Sequence, residues 1–318
     1  MTTKSFEAAF ETGLRLTEKV LNPMKLSFVG KDEIIDLLGV SLVAGENLFI
    51  LGPPGTAKSA IVHELGRRLD GQTFEYLLTK FTEPNELFGP FDIRKLKEGV
   101  LETNTEGMLP EASLVFLDEL LNANSAILNS VLTVLNERVL RRGRETRKLP
   151  VISVIGASNH LPEEEALRAL FDRFLLRVVS ENVADSELAS VLRAGWKLDS
   201  AQRENVNEGG DMVSCEDVRS LQVVLSSVDL SSLMPVYVDV ITRLRRAGIA
   251  ISDRRAVKLQ RLIAASALLC QRSTAHVTDL WILRHIWDVE EQREVLQAVI
   301  SETMEKEDAE EAKVHPGA

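Results

Sequence analysis

The sequence predicts an α/β protein in which a parallel sheet flanked by helices is followed by a smaller, all-helical domain. Three observations carry that reading. Short apolar runs alternate with helical periodicity through the first part of the chain, as in sheets built with crossover helices. Near Glu181 the texture changes to almost continuous helical periodicity. The composition of 318 residues, 45% hydrophobic and 27% charged, is that of an ordinary folded chain, and at roughly 150 residues per domain it allows two units.

Taken in order, Phe6 to Leu21 places Phe6, Ala9, Phe10, Leu14, Leu16 and Val20 near helical spacing and predicts an amphipathic helix. After Asn22-Pro23 and Phe28-Val29-Gly30, a second helical pattern runs from Ile34 to Val43 and closes at Gly45. Asn47 to Leu51 then reads as a buried strand that enters a glycine and proline turn. Further strands are expected at Phe74–Leu78, Leu114–Leu117, Val151–Ile155 and Phe174–Val179, with helices at Ala60–Leu69, Ala126–Asn136 and Glu163–Leu170 between them. Beyond the boundary placed at residue 182, helices are expected at Ser186–Ala194, Cys215–Val228, Leu233–Ala247, Arg254–Cys270, Val277–Ile286 and Glu290–Met304. The polar stretch Leu198–Asp211 reads as a loop. The expected units are 1–182, 183–300 and an acidic, disordered tail at 301–318.

Composition also excludes function classes. No apolar run approaches the roughly 18 residues of a membrane span, and Met1 to Glu7 lacks an apolar signal core. A cytoplasmic protein with no membrane insertion is expected. Cys215 and Cys270 have neither CxxC spacing nor a nearby histidine pair, so they read as free thiols. With 48 acidic and 37 basic residues the formal charge is -11, which disfavours nucleic acid as a partner. The charge is uneven, because residues 138–148 carry six basic groups against Glu145 alone.

The strongest chemical signal is Gly52-Pro53-Pro54-Gly55-Thr56-Ala57-Lys58-Ser59, with Ala60 next, placed after a strand and at the start of a helix. Backbone N–H groups in such a loop, with the helix dipole behind them, cradle phosphates. Lys58 would reach the β- and γ-phosphates, and the Ser59 hydroxyl would ligate Mg²⁺. Ala57 stands where the strict pattern has glycine. Sixty residues beyond Lys58, Leu114-Val115-Phe116-Leu117-Asp118-Glu119 is an apolar strand ending in two carboxylates. Asp118 suits Mg²⁺ and Glu119 suits polarising a water, which points to hydrolysis rather than transfer to a second substrate. A third strand, Val151 to Ile155, leads to Asn159, whose amide can bridge a γ-phosphate and the attacking water. Arg173 lies between apolar residues before the last strand, and Arg254 opens a helix with Ser252 or Asp253 as its cap. Trp196, Trp281 and Trp287 read as core residues of the helical unit.

Together these residues resemble the AAA+ ATPases, and among them the MoxR family in its RavA-like branch. The resemblance spans roughly residues 20–290. It is carried by Gly52–Ser59 with its alanine, by Phe81-Thr82-Glu83-Pro84-Asn85-Glu86-Leu87-Phe88-Gly89-Pro90, and by Gly107-Met108-Leu109-Pro110-Glu111-Ala112. It continues through Ala126-Ile127-Leu128-Asn129 and Leu135-Asn136-Glu137-Arg138. The resemblance implies a P-loop core, a helical lid and a hexameric ring with ATP between subunits. Lys58 and Ser59 match Walker A, Asp118 and Glu119 match Walker B, Asn159 matches sensor 1, Arg173 the arginine finger and Arg254 the sensor 2 arginine, with the adjacent Arg255 an open alternative. Val29-Gly30 matches the segment near the adenine, residues 91–105 a helix insert, and 138–148 a hairpin. RavA-like proteins carry a further C-terminal module, and here the sequence ends soon after the lid, so functions tied to that module are not expected.

The resemblance further implies a chaperone-like remodelling ATPase beside a von Willebrand factor A domain partner. A nucleic-acid motor or loader is the alternative, since the basic segment Arg138–Lys148 could face a channel; the acidic balance opposes it. A P-loop kinase is the third reading, weakened by Glu119, Asn159 and the lid arginine.

Overall fold

The computed structural model describes residues 3–92, 97, 103–142, 145–203, 212–307 and 315–317. Among them the strands are β1 (Leu48–Leu51), β2 (Leu69–Asp70), β3 (Thr73–Leu77), β4 (Leu114–Asp118), β5 (Val139–Arg142), β6 (Glu145–Lys148), β7 (Ser153–Ser158), β8 (Leu176–Val179) and β9 (Val213–Ser214). Five of them form one sheet in the order β3-β4-β7-β1-β8, with every pairing parallel. A parallel sheet covered on both faces needs apolar residues at successive positions. Leu48 to Leu51 and Leu114 to Leu117 are accordingly all buried.

The helices begin with α1 (Thr3–Leu16), which passes through a π-helical turn, Thr17–Leu21, into α2 (Asn22–Ser27). The apolar periodicity predicts one amphipathic helix to Leu21. Pro23 explains the break in type: it has no N–H to donate and its ring crowds the preceding turn. The chain widens so that the Asn22 N–H donates to Thr17 O, five residues back.

Next come α3 (Asp32–Ala44), α4 (Lys58–Arg68), α5 (Pro84–Phe88), α6 (Ser125–Glu137) and α7 (Glu165–Phe171). Beyond the sheet lie α8 (Leu188–Arg203), α9 (Cys215–Val224), α10 (Met234–Arg246), α11 (Asp253–Leu269) and α12 (Gln292–Glu307). The strands β5 and β6 pair antiparallel over Val139–Arg142 and Glu145–Lys148. Phe91 and Thr103 form an antiparallel bridge, while 93–96 and 98–102 of the expected insert lie outside the described residues.

Several expectations are corrected. The stretch Leu198–Asp211 is helical as far as Arg203, and 204–211 lie outside the described residues. Val277–His285 is a 3-10 segment instead of an α-helix. Its shape follows a buried carboxylate: Asp279 accepts from Arg272 on both oxygens at 2.7 Å, from Ser266 Oγ at 2.7 Å and from the His276 N–H at 2.8 Å. Of the tail expected at 301–318, residues 301–307 continue α12 and His315 is buried and stacked on Trp281 at 4.7 Å, while 308–314 and 318 lie outside the described residues. Trp281 and Trp287 are core residues, but Trp196 is 76% exposed on α8.

The helical part seats on α3 and the start of β1. Arg261 donates to Ala44 O at 3.0 and 3.2 Å, Lys258 pairs with Glu46 at 3.2 Å, and Gln222 donates to Leu42 O at 2.7 Å. At the same place Asn47 is buried and both ends of its amide are engaged. Its Nδ2 donates to Arg173 O at 3.0 Å, and its Oδ1 accepts from Arg138 Nη2 at 2.6 Å and from the Val154 N–H at 3.3 Å. One side chain thus ties the start of β1 to β7, to the base of the hairpin and to the loop before β8. Asn47→Ala leaves those groups unpaired in the interior and is expected to cost about 2–4 kcal/mol, read as a lowered denaturant midpoint with unchanged slope.

Candidate functional site

The parallel register brings the chemically marked residues together. Leu51 stands opposite Ser158 on one side and Val179 on the other, so Gly52, Asn159 and Ser180 leave the sheet at one edge. Leu77 pairs with Asp118, which places the β4 carboxylates at that edge as well. Ligand sites of open α/β sheets lie at this carboxyl edge.

The loop Gly52–Ser59 is fixed from both sides. The Gly52 N–H donates to Ser158 O at 3.0 Å, and Ser180 Oγ donates to Thr56 O at 2.8 Å. Gly52 has no room for a side chain, because a Cβ there would stand 2.2 Å from Ser180 O. Gly55 at φ 85 and Ala57 at φ 68 are both left-handed, and Ala57 caps the start of α4. Lys58 is buried, and its ammonium donates to Gly52 O at 2.6 Å and Pro53 O at 2.9 Å. The N–H groups of the first turn of α4 lie beyond it, with Ala60 exposed. Val29-Gly30 packs nearby: Gly30 has φ 71, and a Cβ on it would lie 2.8 Å from Val183 Cγ1 and 3.4 Å from Glu187 Oε2. Lys31 closes this corner by donating to Ser180 Oγ at 3.2 Å and to Glu181 O, and burial lowers its pKa.

Ser59 Oγ donates to Asp118 Oδ2 at 3.0 Å. A hydroxyl and a carboxylate from separate elements are therefore within reach of one small cation. These are hard oxygen donors of the kind Mg²⁺ takes in small number, with phosphate oxygens and waters filling its shell. Asp118 Oδ1 also accepts from the Glu119 N–H at 2.9 Å. Glu119 is left-handed at φ 49, unusual for a residue with a long side chain, and its Oε2 is buried with no hydrogen-bond partner among the described residues. An acceptor held this way fits a polarised water. Asn159 is exposed, and its Oδ1 meets His160 Nδ1 at 2.6 Å.

Arg173 and Arg254 are not at this edge. They line a separate cleft of about 530 Å³ with Asn136, Asp172, Ser252, Arg255, Lys258 and Asp288. The Arg173 carbonyl is held by Asn47, and Lys258 by Glu46, both just before β1. The loop Gly52–Ser59 follows the other end of that strand, roughly 13 Å along it. The loop Gly52–Ser59 and the β4 carboxylates therefore stand at one edge of the sheet and the guanidinium groups of Arg173 and Arg254 at the other. Arg254 is exposed, whereas Arg255 is engaged with Asp288 at 3.0 Å and with Ile286 O.

Sequence reasoning missed Lys31, Asn47, Arg177, Ser180 and Asp288. Arg177 carried a signal, being a charge inside an apolar strand, and such a charge must be paired. It is fully buried, with Nη1 on Asp288 Oδ1 and on Trp287 O, both at 2.6 Å; burial pushes its pKa down to about 10, with Arg255 acting in the same direction.

A five-stranded parallel sheet with a glycine-rich loop after β1, an acidic pair at the end of β4 and an attached helical unit is the architecture of an AAA+ ATPase. The chain belongs to the MoxR family within that class. Residues 14–223 match the model of the MoxR domain in MoxR-vWA-beta-propeller ternary systems, and residues 236–300 match an AAA lid domain. An uncharacterised protein of Methanocaldococcus jannaschii is 38% identical over 274 residues, 85% of this chain and 70% of its own. A second protein of that organism is 37% identical over 273 residues, 86% of this chain and 71% of its own. Chaperone MoxR1 of Mycobacterium tuberculosis is 24% identical over 206 residues, 63% of this chain and 53% of its own. The fold is similar to a crystal structure from Cytophaga hutchinsonii described as an ATPase candidate, with a TM-score of 0.72 at 19% identity, covering 93% of this chain and 96% of the other. Among the described residues no helix is long and apolar enough to cross a membrane.

The close approach at Gly52 gives a test of the loop. Gly52→Ala drives a methyl group into Ser180 O, and the loop must move. A melting temperature lowered by several degrees is expected, together with weakened binding of a fluorescent ATP analogue.

Proposed function

We propose that this chain hydrolyses Mg²⁺-ATP between subunits of a homo-oligomeric ring, a hexamer, and uses the cycle to remodel protein complexes in the cytoplasm with a von Willebrand factor A domain partner. The observation that carries the reading is the separation of groups within one chain. Ser59 and Asp118 meet at the carboxyl edge beside Glu119, whose Oε2 has no partner among the described residues, while Arg173 and Arg254 open at the opposite edge. A second copy is needed to bring the arginines to the phosphates.

In this reading Gly52, Pro54, Gly55, Thr56, Ala57 and Ala60 shape the phosphate cradle, and Val29-Gly30 borders the adenine. Lys58 exchanges its two carbonyl partners for phosphate oxygens. Ser59 and Asp118 would hold Mg²⁺, which when bound offsets phosphate charge. Glu119 takes a proton from the attacking water, and Asn159 orients that water, its Oδ1 being held by His160. Arg173 and Arg254 of one copy stabilise charge on the nucleotide of the next. Exposure of Arg254 and engagement of Arg255 favour Arg254 for that role.

The partner class is supported by the systems for which the matched family model is named, and remodelling by the chaperone MoxR1 relative. The motifs at Phe81–Pro90 and Gly107–Ala112 support a place near the RavA-like branch. A nucleic-acid motor is less favoured, because Arg141 and Arg147 of the hairpin pair with Glu137 and Glu111.

Lys58→Ala is expected to abolish ATP binding, and Glu119→Gln to bind ATP while losing about 10²-fold or more in turnover. Arg173→Ala should keep nucleotide affinity and lose turnover by about 10³-fold. Mixing Arg173→Ala with Glu119→Gln chains should restore some activity, at junctions where an intact Glu119 faces an intact Arg173. Absence of any recovery would count against action between subunits.

A further inference from the structure

The cleft at the amino-terminal edge of the sheet holds a carboxylate for which the proposed chemistry has no use. Asp288 Oδ1 accepts from Arg177 Nη1 at 2.6 Å, and Arg255 Nη1 meets Oδ1 and Oδ2 at 3.0 Å each. The Asp288 N–H donates to Gln292 Oε1 at 2.7 Å, so the carboxylate is fixed from its own backbone.

Both guanidinium groups are tied onward. Arg177 Nη2 donates to Phe171 O at 3.2 Å, its guanidinium lies 4.2 Å over the Phe171 ring, and Asp172 is 4.0 Å away. Phe171 and Asp172 immediately precede Arg173 in the chain. On the other arm, Arg255 donates to Ala250 O at 3.2 Å and to Ile286 O, and it follows Arg254 in the first turn of α11. The two arms end next to the two arginines that open into the cleft. Those two are lightly held themselves: Arg173 Nε is buried without a partner among the described residues, and Arg254 is exposed.

We infer that Asp288 is a positioning residue that sets the spacing of Arg173 and Arg254 by holding Arg177 and Arg255 on its two oxygens. The inference rests on the proposed action of those arginines on a neighbouring nucleotide. Donors that stabilise developing phosphate charge act by being placed beforehand, and a displacement of about 1 Å can cost about 10²-fold in rate. Without the carboxylate, Arg177 and Arg255 face each other as like charges, and the backbones before Arg173 and at the start of α11 lose their common anchor.

The test uses the full chain and steady-state ATP turnover, with binding of a fluorescent ATP analogue and thermal melting measured beside it. Asp288→Asn is expected to lower kcat by about tenfold or more with KM changed less than about twofold. Asp288→Glu should recover part of the loss. In an Arg254→Ala background, Asp288→Asn should slow the enzyme little further, because the residue it places is gone. If Asp288→Asn does not fold, Asp288→Glu, which displaces the charge by one methylene, is compared with the parent on the same readouts. Three results would overturn the inference: parental kcat in Asp288→Asn or in a sole surviving Asp288→Glu, losses that multiply with Arg254→Ala, or a loss of nucleotide binding that parallels the loss of turnover. Arg173→Ala separates this from the wider reading. Inactive Arg173→Ala beside active Asp288→Asn rejects only the positioning role, whereas active Arg173→Ala rejects the shared site itself.

Discussion

Because β1 pairs in parallel with β7 on one side and β8 on the other, the residues that follow the three strands emerge together at a single edge. That register places Gly52 beside Ser158 and Ser180, and makes the loop between β1 and α4 a continuation of the sheet rather than an independent turn. The same polarity works at the opposite edge. There the residues preceding the strands collect, and Asn47 joins β1, β7, the hairpin base and Arg173. A one-residue slip would invert the faces of β1 and misplace both edges at once. Its four residues are buried throughout, so they give the pairing its stability but no alternation to mark a face.

Arg177 carries the second constraint. A guanidinium taken out of water is costly unless its hydrogen bonds and charge are met inside. Here the charge and the two terminal nitrogens are met by Asp288, by Trp287 O and by Phe171 O, while Nε has no partner among the described residues; Asp288 and Trp287 lie more than a hundred positions along the chain. The edge strand β8 is thereby bonded to the segment that closes the helical unit. Arg261 on Ala44 O and Lys258 on Glu46 add a second line of polar contacts between the sheet region and α11. The two parts share one continuous apolar core, and these directed bonds fix their relative rotation, which apolar contact alone specifies weakly.

Much of this was legible in the sequence, and for local reasons. Strand, glycine-rich turn and helix follow one another without interruption at Leu48–Arg68, and the acidic pair is joined directly to an apolar run, so pattern and chemistry coincide within a few residues. What was not legible depends on separation or on sidedness. Arg177 and Asp288 are neighbours only after folding, and neither carries a local mark that names the other. Trp196 shares helical spacing with Leu188 and Leu192, a pattern that normally marks a buried face, yet all three are exposed on α8. The asparagines and glycines just beyond Arg203 give Leu198–Arg203 the texture of a loop, yet the helix runs through to Arg203, because such breakers do not act on residues several positions before them. At Thr17–Leu21 the apolar period was sound, and Pro23 changed the hydrogen-bond pattern without breaking the helix.

Ala57 has a consequence for how the loop Gly52–Ser59 behaves. Its left-handed backbone costs about 1–2 kcal/mol relative to a right-handed one, a penalty glycine would escape. Glycine, however, would enlarge the set of shapes open to the chain before it folds, and that freedom would have to be surrendered. The methyl group therefore shifts the loop from an adaptable hinge toward a mould. Its curvature is settled during folding, so little ordering entropy remains to be lost in the phosphate binding proposed for it.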